Sequence, residues 1–244
     1  MQMPKAVVDV HSLQFVVIVS ADAEWRAVAK LFSTSSMDRS PYGEFFYHSS
    51  GGWRGVVMHG GWGKIDAAAS AQYAICRWRP SVVVNLGTCA GIVGHIEKFD
   101  TVLADRTVVY DITERMADSA EAIRSYSTTI DLRWLESRPL PSPARRSLLA
   151  SGDRDLSVAD VPLLRRLYDA IAVDWESGAI ARVASRNDTR VLILRGVSDL
   201  VSEESASETY GRPEVFEEAA KTIMRHLFDV LPMWIEAAVP ADTL

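Results

Sequence analysis

The sequence predicts an α/β fold in which strands alternate with helices around one mostly parallel sheet that carries helices on both faces. Two observations lead there. Continuous apolar runs, Phe15–Val19 and Val82–Val84 among them, read as strands covered on both faces. Helical patterns alternate with them, and the last is an amphipathic stretch whose Phe216, Ala219, Ala220, Ile223, Leu227 and Val230 keep the helical spacing. The 244 residues are 48% apolar, enough to fill a sizeable core. They show no internal repeat and no obvious boundary, so one domain over residues 1–244 is expected.

The elements follow in order. Gln14–Ser20 reads as a buried strand and Ala23–Phe32 as the helix after it, with Asp22 at the N-cap position. Gly43–Ser49 and Trp53–His59 flank Ser50-Gly51-Gly52 and form a hairpin. A helix runs from about Lys64 to Trp78 and stops at Pro80. Ser81–Leu86 and Thr101–Val109 are strands, and residues 112–150, rich in charge, Ser, Thr and Pro, read as containing a long loop. Order returns with Ala170–Val173, a helix over Glu176–Ser185, the strand Arg190–Val197 and the helix from Pro213 to about Leu231.

Composition narrows the function. A net charge of −6 without a clustered basic stripe argues against nucleic acid. No run approaches the ~20 apolar residues of a membrane helix, and the N-terminal stretch reads as leading into the first strand, not as a signal peptide. Two cysteines, Cys76 and Cys89, fit a reducing cytosol better than a disulfide framework. The five histidines lack metal-ligand spacing, and Gly63-Lys64 is followed by Ile65, so it is not a phosphate loop. A small-molecule partner, without metal or cofactor, is expected.

Chemistry-bearing residues gather where strands end: Ser20-Ala21-Asp22-Ala23-Glu24, Asn85-Leu86-Gly87-Thr88-Cys89-Ala90-Gly91, Val173-Asp174-Trp175-Glu176 and Arg195-Gly196-Val197-Ser198-Asp199. Gly87 and Gly91 permit a tight turn and close approach of a ligand to the backbone. Glu24, Glu176 or Asp199 alone reads equally well as a helix-dipole partner. All of them at strand ends beside a glycine turn indicate a site.

These segments resemble the purine nucleosidase and nucleoside phosphorylase superfamily, and within it the methylthioadenosine/S-adenosylhomocysteine nucleosidases. The resemblance rests on Gly61-Trp62-Gly63-Lys64 before an alanine-rich helix, VVVNLGTCAG, AVDWESGAIARVA and LRGVSDL, in order, with Phe99-Asp100-Thr101-Val102 a looser match. It implies a single-domain three-layer αβα sandwich with a mixed, largely parallel central sheet, and a homodimer or higher oligomer. It also implies hydrolysis of the N-glycosidic bond of a purine nucleoside, with adenine favoured. Asp199, oriented by Ser198, would protonate the leaving base at N7, Glu176 would accept from the ribose hydroxyls, and Glu24 would activate water. Thr88, Cys89 and Ala90 would lie near that water or a phosphate, Trp175 beneath the ribose, and Asp155 and Leu156 beside the base.

The same resemblance marks departures. Phosphorylases of the superfamily carry an arginine where this chain has Asn85, which removes a bidentate phosphate clamp and favours hydrolysis, although Arg26 remains a candidate phosphate ligand. Trp175 replaces a methionine, and Asp155 stands where the nucleosidases stack an aromatic ring on adenine, with Tyr210 as a replacement wall or a structural loop residue. Other readings are phosphorolysis, a catalytically inactive nucleoside-binding module, and a cysteine hydrolase built on Gly87-Thr88-Cys89-Ala90-Gly91.

Overall fold

The computed structural model describes residues 13–136 and 138–240. The segment before Leu13, and with it most of the N-terminal stretch weighed as a signal peptide, lies outside the described residues. The core of the sheet is β1 (Phe15–Val19), entirely buried and paired in parallel with β4 (Trp53–His59) on one side and β5 (Val82–Ile92) on the other. Being covered on both faces, β1 has no polar alternation. Outward from β4 lie β3 (Glu44–Ser50) and the short β2 (Asp38–Arg39), both antiparallel. The β3–β4 hairpin turns at Gly51 and Gly52, whose φ values of 58° and 87° suit the primed turns that match strand twist.

On the other side the order closes on itself. β5 pairs with β10 (Arg190–Val201), β10 with β6 (Thr101–Val109), β6 with β8 (Arg145–Ser151), β8 with β9 (Ala172–Asp174), and β9 with β5 again. The β1–β4, β1–β5, β5–β10, β6–β8 and β8–β9 pairings are parallel and the others antiparallel, so the sheet is mixed. Helices pack in two pairs, α1 (Asp22–Leu31) with α6 (Pro213–Ala238) and α2 (Gly63–Trp78) with α5 (Ser177–Arg186). Among the described residues no helix is long and apolar enough to cross a membrane.

Several expectations need correction. Asp22 is the first residue of α1, and Ala21 is the N-cap, its N–H satisfied by the folded-back carboxylate of Glu24 at 3.3 Å. Residues 112–150 hold the long irregular stretch expected, and also α3 (Ser119–Ser125), β7 (Ser127–Thr129) and the start of β8, which were not foreseen. The charged Arg145-Arg146 pair hid β8, because only its last four residues are buried. Helix α4 (Val161–Tyr168), with Pro162 in its first turn, was also unforeseen. Helix α6 continues through Pro232 to Ala238, carried by burial of Trp234, Ile235 and Ala238. Phe99 stands at φ 70°, a left-handed backbone costly for a residue with a Cβ, held by Phe99 N–H to Val197 O and Val197 N–H to Asp100 O.

The two strands bearing the site do not end where expected. β5 runs on through Gly87 and Gly91 to Ile92, so neither glycine makes a turn, and β10 runs on past Val197 to Val201. The β5–β10 register slips between Val197 and Asp199, which marks a bulge at Ser198.

Candidate active site

The elements converge on a cavity of about 550 Å3, within the range of small-molecule sites. Its lining contains every residue given a catalytic or substrate-binding part from the sequence: Glu24, Thr88, Cys89, Ala90, Asp155, Leu156, Trp175, Glu176, Ser198 and Asp199.

Glu24 arrives on the first turn of α1. Its Oε1 accepts from the N–H of Thr88 at 2.6 Å and from the Thr88 hydroxyl at 2.8 Å, while Oε2 accepts from Ala21. Thr88 therefore serves Glu24 first. A carboxylate has roughly four lone-pair positions, so Glu24 retains an acceptor for a ligand or water.

Arg195, buried in the middle of β10, is the guanidinium on which the carboxylates of the site gather, and it was not singled out from the sequence. Its Nη2 lies 2.9 Å from Asp174 and 3.5 Å from Glu176, and its Nη1 lies 3.9 Å from Glu24. Asn85 Oδ1 accepts from Nη2 at 2.9 Å, and Ser177 Oγ accepts from Nε at 3.0 Å. Asp174 also accepts from the hydroxyls of Ser151 and Ser177. An arginine breaking the apolar run Val191–Leu194 was the available signal, since a buried guanidinium requires anionic partners.

Asn85 lies below the cavity floor, with Nδ2 donating to Ile18 O and Oδ1 engaged by Arg195 and Ser177. Arg26 lines the cavity, but its guanidinium pairs with Glu217 at 2.7 Å. The cavity thus holds no free arginine clamp of the kind a phosphate would need at these two positions.

Glu176 ends the β9 segment and caps α5, and Gly63 N–H donates to its Oε1 at 3.2 Å. Burial pushes its carboxyl up to about 8, against the lowering effect of Arg195 and with help from the neighbouring Asp174 and Glu24 charges. The residue before Gly63, Trp62, stacks on Trp175 with ring centroids 4.9 Å apart. Trp175 is therefore a cavity wall, not core packing.

Asp199 sits just after the Ser198 bulge. Burial raises its carboxyl above the ordinary range, partly opposed by hydrogen bonds from Ser198 and Ser207. The Ser198 hydroxyl lies within reach of both Cys89 O and Asp199 Oδ1. Asp155 is exposed at the rim, while Leu156 is buried and its carbonyl accepts from the Tyr210 hydroxyl at 2.8 Å.

The cysteine-hydrolase reading is overturned. Burial pushes the Cys89 thiol well above its usual value, and its Sγ contacts Gly196 O at 3.7 Å with no histidine beside it among the residues lining the cavity. Among the described residues no group of His, Cys, Asp and Glu has the arrangement of a metal site.

Known proteins resemble this chain in sequence and fold. A 5′-methylthioadenosine/S-adenosylhomocysteine nucleosidase of Marinomonas is 24% identical over 216 residues, covering 84% of this chain and 90% of its own. Its Thermotoga maritima counterpart is 28% identical over 154 residues, covering 63% and 69%. The structure of the Helicobacter pylori nucleosidase with butyl-thio-DADMe-immucillin-A superposes with a TM-score of 0.73 at 18% identity, covering 90% of this chain and 98% of that one. That of the Colwellia psychrerythraea nucleosidase in complex with adenine gives 0.71 at 20% identity, covering 93% and 96%. These likenesses establish the fold, with the central mixed sheet in common. The phosphorylase superfamily model matches residues 14–231, and the chain belongs to that superfamily.

Proposed function

We propose that this chain hydrolyses the N-glycosidic bond of an adenine nucleoside, releasing free base and the ribose moiety. The observation that carries the reading is the opposition within one cavity of a carboxyl driven toward its protonated form, Asp199, and the Glu24 carboxylate, which accepts twice from Thr88 and faces the buried Arg195 guanidinium. Glycosidic cleavage needs that polarity: an acid at the leaving base and negative charge at the ribose.

In this reading Asp199 gives its proton to purine N7. The electron pair of the C1′–N9 bond moves to the base, which departs neutral. Glu176 hydrogen-bonds the ribose hydroxyls. Water attacks C1′ and its proton passes to Glu24, held in place by Thr88 and Arg195. Asp199, once ionised, can accept from the exocyclic amine, which favours 6-aminopurines. Trp175, stacked on Trp62, forms the wall beside the ribose.

Hydrolysis is preferred over phosphorolysis because Asn85 is engaged below the floor and Arg26 is paired with Glu217. The chain works as one domain in a reducing cytosol, which its two free cysteines support. It self-associates as a homodimer or higher oligomer, supported by the exposed apolar Trp62 and Ile65 at the start of α2.

The test is incubation with adenosine, inosine and 5′-substituted adenosines, with and without phosphate. Free adenine released at the same rate in both conditions is the expected result. Release that depends on phosphate makes the chain a phosphorylase. Nucleoside binding without release makes it a binding module, and either outcome overturns the reading.

A further inference from the structure

Helix α2 begins on a turn that has little of its own to hold it. Gly61 and Gly63 both stand at φ 80° with Trp62 between them, and Trp62, the N-cap residue, offers the helix no side-chain acceptor. Glycines in that conformation leave the backbone free unless something outside the turn fixes it. The position matters, because the first two N–H groups of α2 both meet carboxylates. Gly63 N–H donates to Glu176 Oε1 at 3.2 Å, and Lys64 N–H donates to Asp153 Oδ1 at 2.8 Å. One helix end therefore joins the carboxylate of the cavity to a carboxylate of another segment.

That second carboxylate belongs to a cluster built by strand register. β6 and β8 run parallel with Val109 opposite Ser151, which brings Asp111 and Asp153, each two residues further on, side by side. Asp153 N–H donates to Asp111 Oδ2 at 2.9 Å. The Lys64 ammonium donates to Asp111 Oδ1 and lies 3.8 Å from Asp153 Oδ2. The Lys64 and Asp111 side chains are only 20% and 16% exposed, so the cluster is a partly desolvated network, unlike an isolated surface pair. The end of β8 is tied in turn to the segment of β9, where Gly152 N–H donates to Asp174 O, two residues before Glu176. Lys64, Asp111 and Asp153 are not among the residues lining the cavity, so any effect they have on a ligand passes through the start of α2.

We propose that Lys64, paired with Asp111 and Asp153, is a positioning residue for Glu176: it fixes the start of α2 so that the Gly63 N–H holds the Glu176 carboxyl in place for the ribose hydroxyls. The ribose as the ligand of Glu176 rests on the hydrolase reading above. With Oε1 engaged by Gly63 and Oε2 3.5 Å from Arg195, the carboxyl is held at both oxygens and its remaining lone pairs keep one direction. Released from Gly63, it turns more freely and grips the hydroxyls less well.

Calorimetric titration with formycin A, a C-nucleoside isostere of adenosine with no N-glycosidic bond to hydrolyse, and with its 2′-deoxy form tests this. The proteins are the wild type, Lys64→Arg, Lys64→Met, Glu176→Gln and the Lys64→Met/Glu176→Gln double variant. The wild type is expected to prefer formycin A over the 2′-deoxy form, and Lys64→Met to lower that preference by about tenfold or more, the scale of one hydrogen bond to a charged group. Lys64→Arg keeps the cation and should retain the preference within about threefold. In the Glu176→Gln background the methionine substitution should change the preference by less than about twofold, because it acts through that carboxyl. Asp153→Ala replaces Lys64→Met if that variant does not fold. A wild-type preference in folded Lys64→Met, equal weakening of both ligands, or an undiminished effect in the glutamine background overturns the proposal. So does a wild type without preference, since Lys64 then has nothing to position. Adenine release from adenosine, measured on the same proteins, tests the hydrolase separately. A preference that needs Lys64 in a protein that releases no adenine leaves the positioning role standing and the hydrolysis failing. Adenine release with a preference indifferent to Lys64 leaves the hydrolysis standing and overturns the positioning role.

Discussion

The Nη1 atom of Arg195 occupies the space where a side chain on Gly87 would begin. A Cβ on Gly87 would stand 2.1 Å from it and 2.9 Å from each carboxylate oxygen of Glu24. Gly87 is thus required for close approach and not for a turn, since β5 runs straight through it. Neither neighbour can yield, because Arg195 is fixed by Asn85 and Ser177, and Glu24 by Thr88. Gly87→Ala is expected to lower kcat/KM for adenosine by about 100-fold through misplacement of both groups. It should also cost about 1–3 kcal/mol of stability in urea denaturation. Wild-type activity in a folded Gly87→Ala protein contradicts this placement of Arg195.

Arg195 is also the element on which the buried charge of the site depends. Removing it leaves Glu24, Asp174 and Glu176 together without a cation, all nearly inaccessible to solvent. Arg195→Leu is expected to destabilise by about 3–5 kcal/mol at neutral pH. The sign with pH follows from linkage. Without the guanidinium, which lowers it, the already raised Glu176 carboxyl rises further above its unfolded value, so stability is retained at low pH and lost as pH rises through it. Urea midpoints measured from pH 5 to pH 8 should therefore diverge from wild type as pH increases. A constant gap points to lost packing alone.

How much of this was legible follows from what each residue's neighbours reveal. Glu24, Glu176 and Asp199 were readable because an acidic residue beside an apolar run is conspicuous, and β1 because its apolar run is unbroken. The hub Arg195 was missed, since its partners Asn85, on one segment, and Asp174 and Ser177, on another, are brought to it only by the closed β5–β10–β6–β8–β9 ring. The length of β5 and β10 was misread because glycine and small polar residues interrupt the β-branched pattern. In the folded chain those interruptions admit the Arg195 and Glu24 side chains over Gly87 and the bulge at Ser198. Strand β8 was hidden for another reason: its first half is exposed and charged, so it carries no apolar signal until Leu148.

The thiol of Cys89 lines the cavity and lies within 3.7 Å of Gly196 O, yet burial and the surrounding carboxylates hold it protonated. A thiol in that state is a poor nucleophile. Cys89→Ala is expected to keep adenosine hydrolysis within about threefold of wild type, at a stability cost near 1 kcal/mol for the vacated volume. Activity assays before and after iodoacetamide treatment check the same point from the other side, because Cys76 is exposed and Cys89 is not. Loss of activity on alkylation of Cys89, or in the alanine variant, would restore the thiol to the mechanism.

Asp199 links stability and activity with opposite requirements on either side of its titration. Its folded pKa is raised by burial, while Ser198 and Ser207 donate to it and pull the value down. A carboxyl with a raised folded pKa supports the fold fully below its unfolded value, about 3.9 for aspartate, and that support is lost as pH rises through the folded value. Asp199→Asn abolishes this loss. Its melting temperature relative to wild type should therefore rise from pH 4 to pH 8, even as kcat falls by about 100-fold or more for want of the general acid. In the wild type the acid must be protonated to act, so the alkaline limb of kcat/KM follows the Asp199 titration. Ser198→Ala removes a donor that favours the ionised form and should shift that limb to higher pH. A limb that stays in place or moves to lower pH in the Ser198→Ala protein would remove Asp199 from the role of proton donor.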